Sequence, residues 1–177
     1  MRNEKHPTQD IESRTAVVGA GNLLMRDEGL GIHAIRGLAP RIPPEKALCL
    51  EGGTALWRVL PRAEGCTELV VIDALDAGKE PGTICCYEIC RTRLGRGETS
   101  LHRVSLETAL AHEEMMGNTF RSVMVVGMEP ADVSSGTELS PVCEERLEDL
   151  LDVVGQLIDG CLEQAGNREG GRRYAGH

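Results

Sequence analysis

Four residues have types and positions that could do chemistry: Asp27, Glu28, Asp73 and His102. The acidic pair lies in the glycine-rich stretch "GAGNLLMRDEGLG", directly after the apolar run "TAVV". Asp73 ends a second apolar run, "ELVVID", and His102 shortly precedes a helical pattern that opens at Ser105. Two carboxylates and an imidazole from three separate segments suit a divalent transition-metal site that keeps a position open for water or substrate. The spacing does not choose between Asp27 and Glu28 as the first carboxylate. Each residue also has a plainer use. The acidic pair can complement the positive end of a helix, Asp73 can accept hydrogen bonds from loop amides, and His102 can cap a helix start. Convergence on one sheet edge favours the metal reading, and that depends on the elements carrying these residues.

Those elements alternate. "RTAVVGAG", "KALCLEGG", "TELVVIDAL", "GTICCYEIC" and "RSVMVVGM" read as five strands, rich in Val, Ile and Leu. Helical patterns begin at Gly29 (to Leu38), Thr54 (to Leu60), Ser105 (to Met116) and Pro141 (to Glu163). Alternation of this kind predicts an α/β domain with a largely parallel sheet. Only "DAGKEPG" joins the third and fourth strands, too little for a crossover helix, so that pair is expected to be antiparallel with the fourth strand at an edge. The remaining strands run parallel, and ligands of open α/β sheets bind outside the carboxyl ends. The Gly19-Ala20-Gly21 turn, the acidic pair, Asp73 and the start of the helix preceded by His102 all fall at that edge. The linker from Cys90 to His102 is long enough to return there, at about 3.3 Å per extended residue.

The 177 residues suit a single domain. Residues 1–13 read as a flexible leader, 14–165 as the domain and 166–177 as a flexible Gly/Arg tail, with no internal repeat. A net charge of −9, and an aromatic set of only Trp57, Tyr87, Phe120 and Tyr174, argue against nucleic acid as a partner. The seven cysteines contain no CxxC pair, so a zinc knuckle has no support. Cys85, Cys86 and Cys90 offer a soft-metal site, against which stands the plainer reading of buried, reduced thiols. No signal peptide or membrane span is read, and a soluble, cytoplasmic monomer is expected. A dinucleotide fingerprint wants a third glycine where Leu24 stands, and the adjacent acids would repel a pyrophosphate.

From Arg14 to Glu163 the chain resembles the hydrogenase maturation endopeptidases, which process the large subunit of nickel-iron hydrogenases. The resemblance rests on "GAGNLLMRDEGLG", on "EGGT" at 51–54, on "DALDAGKEPGT" from Asp73 and on "SLHRVSLETAL" from Ser100. "VGMEP" and the "LSP" at 139–141 add closing elements in the same order. Two departures are Leu101, where some members carry Pro, and Glu51, where Asp is common.

The resemblance implies a three-layer α/β/α sandwich around a mostly parallel five-stranded sheet with one antiparallel edge strand. It implies an aspartyl-type, metal-linked endopeptidase that removes a C-terminal extension from the hydrogenase large-subunit precursor once nickel is inserted. The family's metal-binding and catalytic positions fall on Glu28, Asp73 and His102. Nickel is expected to arrive with the substrate, and cadmium or zinc are expected to be able to fill the same site. Gly52, Gly53 and Thr54 are expected to let the substrate backbone approach, Asp76 to support the Asp73 loop, and Met25 and Leu30 to pack the acidic loop or to offer the partner an apolar contact. Ser100, Ser105 and the cysteines have no identifiable triad partner and are not expected to act as acyl acceptors. A non-catalytic docking protein for the nickel-loaded subunit and a flavodoxin-like nucleotide or flavin binder are the competing readings.

Overall fold

A computed structural model describes residues 14–89 and 101–167, without the side chains of 101–105 and 161–167. Five strands form one sheet: β1 (Thr15–Ala20), β2 (Ala47–Gly53), β3 (Glu68–Ala74), β4 (Ile84–Glu88) and β5 (Ser122–Met128). Three α-helices accompany them: α1 (Leu30–Leu38), α2 (Leu101–Met115) and α3 (Pro141–Asn167). The strand order is β2-β1-β3-β5-β4. All pairs are parallel except β4–β5, so the expected mixed sheet with one antiparallel edge strand is the observed one.

The sheet is built on the period of two that strands impose. Val17, Val70, Ile72 and Val126 face the layer of α1 and α3. Ala16, Val18, Leu69, Val71 and Val125 face the other layer, made of α2 and two short 3-10 turns, Leu56–Arg58 and Leu60–Ala63. Both faces of β3 are buried, as a parallel strand between two layers requires.

The structure amends four details. β4 pairs with β5 rather than with β3. The two largely buried strands β3 and β5 pair with each other, and the more exposed β4 takes the edge. The linker still suffices, because strands lie about 4.8 Å apart and seven extended residues span about 23 Å. The expected helix from Thr54 to Leu60 is instead the two 3-10 turns, since Pro61 disfavours α geometry at Leu60. α2 begins at Leu101 rather than Ser105, which puts His102 inside the first turn. α3 continues past Glu163 to Asn167, into the first residues expected to belong to the tail. The leader, the remaining tail, Cys90 and Ser100 lie outside the described residues. Among the described residues, no helix is long and apolar enough to cross a membrane.

Gly31 sets how closely α1 sits on the sheet. A Cβ there would overlap the carbonyl oxygens of Ala20 and Ile72, so the helix's first turn rests directly on the ends of β1 and β3. Gly31→Ala must push the helix outward. We expect a loss of about 1–3 kcal/mol in urea unfolding, the usual cost of overpacking.

Candidate functional site

β1, β2, β3 and β5 run parallel, so their carboxyl ends share one edge. From that edge leave the loop into α1, the turn after Gly53, the link to β4 and the long connection 129–140. Two walls result. One comprises the start of α1 and the 129–140 connection. The other comprises the 3-10 turn Leu56–Arg58 and α2, which pack against each other. The end of β3 lies between them.

The acidic loop is shaped residue by residue. Gly21 has φ +122°, and a Cβ there would overlap the Glu28 carbonyl. That carbonyl accepts the Asn22 N–H at 3.0 Å, while Asn22 Oδ1 accepts the Leu24 N–H at 3.1 Å. The loop then turns through Arg26–Gly29 in 3-10 geometry. Arg26 is the one described non-glycine residue in the left-handed region, with φ 43°. Residues in such conformations persist only where the surroundings fix them. Here the Arg26 N–H donates to the Gly136 carbonyl at 2.9 Å, its Nε lies 3.3 Å from an Asp132 carboxylate oxygen, and its stem lies where a Cβ at Gly136 would be.

The two adjacent carboxylates have different fates. Asp27 is fully buried. Its Oδ2 accepts the Ala131 and Asp132 N–H groups at 2.9 Å each, and its Oδ1 accepts the Ser140 N–H at 2.7 Å. Ser140 immediately precedes α3, so Asp27 also lies at that helix's positive end. Burial alone would push the Asp27 carboxyl up, but the backbone donors outweigh it and hold it below its ordinary value. Its oxygens are committed to the 129–140 connection. Glu28, half-buried on the same turn, is the other member of the pair, and this turn packs against β3.

Asp73, at the end of β3, is 6% exposed. Its Oδ1 accepts the N–H of Ala74 at 2.9 Å, as a carboxylate at a strand end commonly does. The loop that follows is held by a residue sequence reasoning passed over. The buried Glu129 accepts the Ala77 N–H on Oε2 at 2.8 Å, while its backbone N–H donates to Thr83 and its carbonyl accepts from Gly82. Asp76, expected to support this loop, is exposed instead. The signal for Glu129 is its place directly after β5, whose Gly127 pairs with Asp73 in the sheet.

The structure therefore brings the Glu28 turn and Asp73 to one edge. His102 sits in the first turn of α2, and its side chain lies outside the described residues. Among the described residues no three His, Cys, Asp or Glu side chains form a metal-holding group. The candidates that can be placed are two carboxylates, oxygen groups of a kind that divalent ions accept.

Gly52 and Gly53 have reasons of their own. A Cβ on Gly52 would press on Leu56, Val18 and the Gly19 carbonyl, at 2.6–2.9 Å. Gly53 adopts φ +59° and offers its carbonyl to the Gly21 N–H at 3.1 Å, tying the two glycine turns together. Thr54 is exposed. Leu30, 1% exposed, belongs to the core, and the exposed apolar residue of the acidic loop is Leu24. Cys49, Cys66, Cys85, Cys86 and Cys143 are free thiols. Burial pushes Cys66 and Cys143 up, which keeps them protonated and poorly nucleophilic.

Comparison with known proteins fits this arrangement. Residues 32–156 match the family model described as hydrogenase maturation protease. The chain is 28% identical over 157 residues to a hydrogenase expression/formation protein, HupD, of Bradyrhizobium diazoefficiens, covering 86% of this chain and 81% of that one. It is 29% identical over 147 residues to the hydrogenase 2 maturation protease of Escherichia coli, covering 80% of this chain and 88% of the relative. Among solved structures it is similar to the hydrogenase maturating endopeptidase HybD of Escherichia coli, with a TM-score of 0.70 and 26% identity over 89% of this chain and 94% of that one. The chain belongs to the hydrogenase maturation protease family and is an endopeptidase, a hydrolase of peptide bonds.

Proposed function

We propose that this endopeptidase removes the C-terminal extension of a nickel-iron hydrogenase large-subunit precursor after nickel insertion, and that Glu28, Asp73 and His102 recognise the nickel the precursor carries. The observation that carries the ligand choice is the saturation of Asp27 by three backbone N–H groups. A carboxylate so engaged would leave three backbone donors unpaired, one of them in a fully buried bond, if it turned to a metal, so the acidic pair offers Glu28. Asp73 supplies a second carboxylate at the adjacent strand end, and the first turn of α2 supplies His102.

In this reading the nickel is part of the substrate. Bound there, it can polarise the scissile carbonyl or lower the pKa of an attacking water. The chain's own work is positional. Glu28 and Asp73 fix the metal from one side, and Gly53-Thr54 leaves room for the extended substrate backbone beside it. Glu129 keeps the loop after Asp73 from moving. A peptide bond is brought to the ion in one orientation, which accounts for a single cut without a nucleophilic side chain.

The test uses purified large-subunit precursor, nickel-loaded or metal-free, incubated with this protein and followed by the size of the product. We expect the loaded precursor to be shortened and the metal-free one to stay intact. Equal cutting of both would remove metal recognition from the reading. Binding of loaded precursor without any cutting would make the protein a docking factor for that substrate.

A further inference from the structure

Toward the amino edge of the sheet, away from the proposed site, a cavity of about 310 Å³ lies between the end of α1 and the second half of α3. Its floor is apolar: Leu38, Ile42 and Leu151 line it and belong to, or pack on, the core on that face of the sheet. Its rim is charged. Arg41 holds Glu148 through two bonds of 2.6 and 2.8 Å, and Lys46 pairs with Asp159, so the segment after α1 is tied to α3 at two points. Asp152 falls between those ties on α3. It is exposed, lines the cavity, and makes neither a hydrogen bond nor an ion pair among the described residues; it meets the Arg41 charge only through space.

Gly155 lines the same cavity from inside α3, where glycine is destabilising relative to alanine. Two glycines of α1 have a steric reason to lack a side chain. A Cβ on Gly31 would strike carbonyl oxygens, and one on Gly37 would lie 3.1 Å from Leu151 Cδ1. A Cβ on Gly155 would meet none of the described residues within 4 Å. The space that this glycine keeps open is therefore not taken up by the rest of the described domain.

The chain itself supplies an occupant. Residues 168–177, "REGGRRYAGH", follow α3 directly and lie outside the described residues. They carry three arginines against one carboxylate, in a protein of net charge −9, and Tyr174 adds an aromatic ring directly after Arg172-Arg173. An α-helix rises about 1.5 Å per residue, so Asn167 lies about 18 Å beyond Gly155, while the seven residues from there to Tyr174 can extend about 23 Å. Gly170-Gly171 stands where the chain has to reverse. The leader is the rival occupant, because the Arg14 guanidinium donates to the Pro44 carbonyl at 3.4 Å, beside the same segment. Residues 1–13 carry three carboxylates against two basic side chains, so charge favours the tail.

We propose that this cavity seats the chain's own segment Arg172-Arg173-Tyr174, with the Tyr174 ring on the apolar floor and an arginine on Asp152. A short tether gives such a segment an effective concentration of about millimolar, so two modest contacts are enough. The ring supplies one by burying apolar surface, and the ion pair supplies the other. The seat ties the tail, α3 and the segment after α1 together at a third point. It stands apart from the reading of Glu28, Asp73 and His102, which concerns the other edge of the sheet.

The test is carbodiimide coupling, which joins a carboxylate to a lysine amine only on direct contact, applied to the full chain carrying Arg172→Lys/Arg173→Lys and mapped by peptide mass. Lys46 and Asp159, already paired, report that the coupling works. We expect a link within one chain from position 172 or 173 to Asp152, with a yield that falls about fivefold or more when Gly155→Leu or Tyr174→Ser is added. Gly155→Leu fills the open space with a better helix former and should leave the Lys46–Asp159 link unchanged, which separates a blocked seat from lost folding. The control link without any link from 172 or 173 overturns the proposal. So does a tail link scattered over other carboxylates and indifferent to both added substitutions. A link between two chains would make a second copy the occupant, and a link from Lys5 to Asp152 would give the cavity to the leader; either result overturns the assignment to the tail.

Discussion

Asp73→Ala, Glu28→Ala and His102→Ala are each expected to reduce cleavage of nickel-loaded precursor by about a thousandfold or more, measured as single-turnover rate. In the proposed reading each substitution removes one ligand from a three-ligand grip, so the scissile bond would lose its fixed relation to the ion as well as the ion's affinity. Asp73→Asn is the sharper version. It keeps the shape of the side chain and an oxygen able to accept the Ala74 N–H, yet removes the charge. Glu28→Ala should leave the thermal midpoint within a few degrees of wild type, because the Glu28 side chain is only half-buried. Activity near wild type in all three alanine variants would sink the site assignment.

Asp27→Ala is expected to do the reverse: it should cost stability first and activity as a consequence. The change strands the N–H groups of Ala131, Asp132 and Ser140, of which the last is in a fully buried bond. Bonds to a charged acceptor in such a setting amount to about 1.5–3 kcal/mol each, and removing the shared acceptor is expected to cost about 3–5 kcal/mol in total. For a chain of this size that lowers the melting midpoint by about 8–15 °C. Asp27→Asn should recover only part, because an amide presents a donor to at least one of the three N–H groups.

The pH dependence has a definite sign. The folded Asp27 carboxyl titrates below its ordinary value of 3.8. The unfolded chain therefore binds the proton first as pH falls. The contribution is fully present above the ordinary carboxylate range and is lost as pH drops through the folded value. Denaturant stability measured across that acid range should fall more steeply for wild type than for Asp27→Asn. Parallel curves would show that the buried carboxylate is not held as described.

What could be read in advance follows the reach of each physical signal. "ELVVID" is legible as a strand because its apolar centre, Leu69 to Ile72, is mostly β-branched, short, and suited to burial on both faces. The antiparallel edge strand followed from a link too short for a helix. Its partner, β5 rather than β3, did not, because pairing is decided by which apolar strands bury each other. Asp27 and Glu28 were indistinguishable in the sequence. Their difference lies in three amides more than a hundred residues away, and no local pattern encodes that. Asp76 was overrated for a related reason: proximity in sequence to Asp73 suggested support, whereas the support comes from Glu129, across the sheet. The helical pattern in the sequence opens at Ser105, with His102 before it, whereas the helix already includes Leu101.

The bonds from Asp27 to residues 131, 132 and 140 span 104, 105 and 113 positions of the chain. During synthesis the acidic turn emerges among the first elements, but its anchors emerge only after β5 has been made. A ribosome-bound chain that stops short of Ala131 contains the residues of β1 and α1 yet lacks the contacts that fix the left-handed Arg26 and the 3-10 turn after it. The acidic turn thus gains its final shape only after nearly the whole domain has been translated, and in the proposed reading the site is assembled late for the same reason.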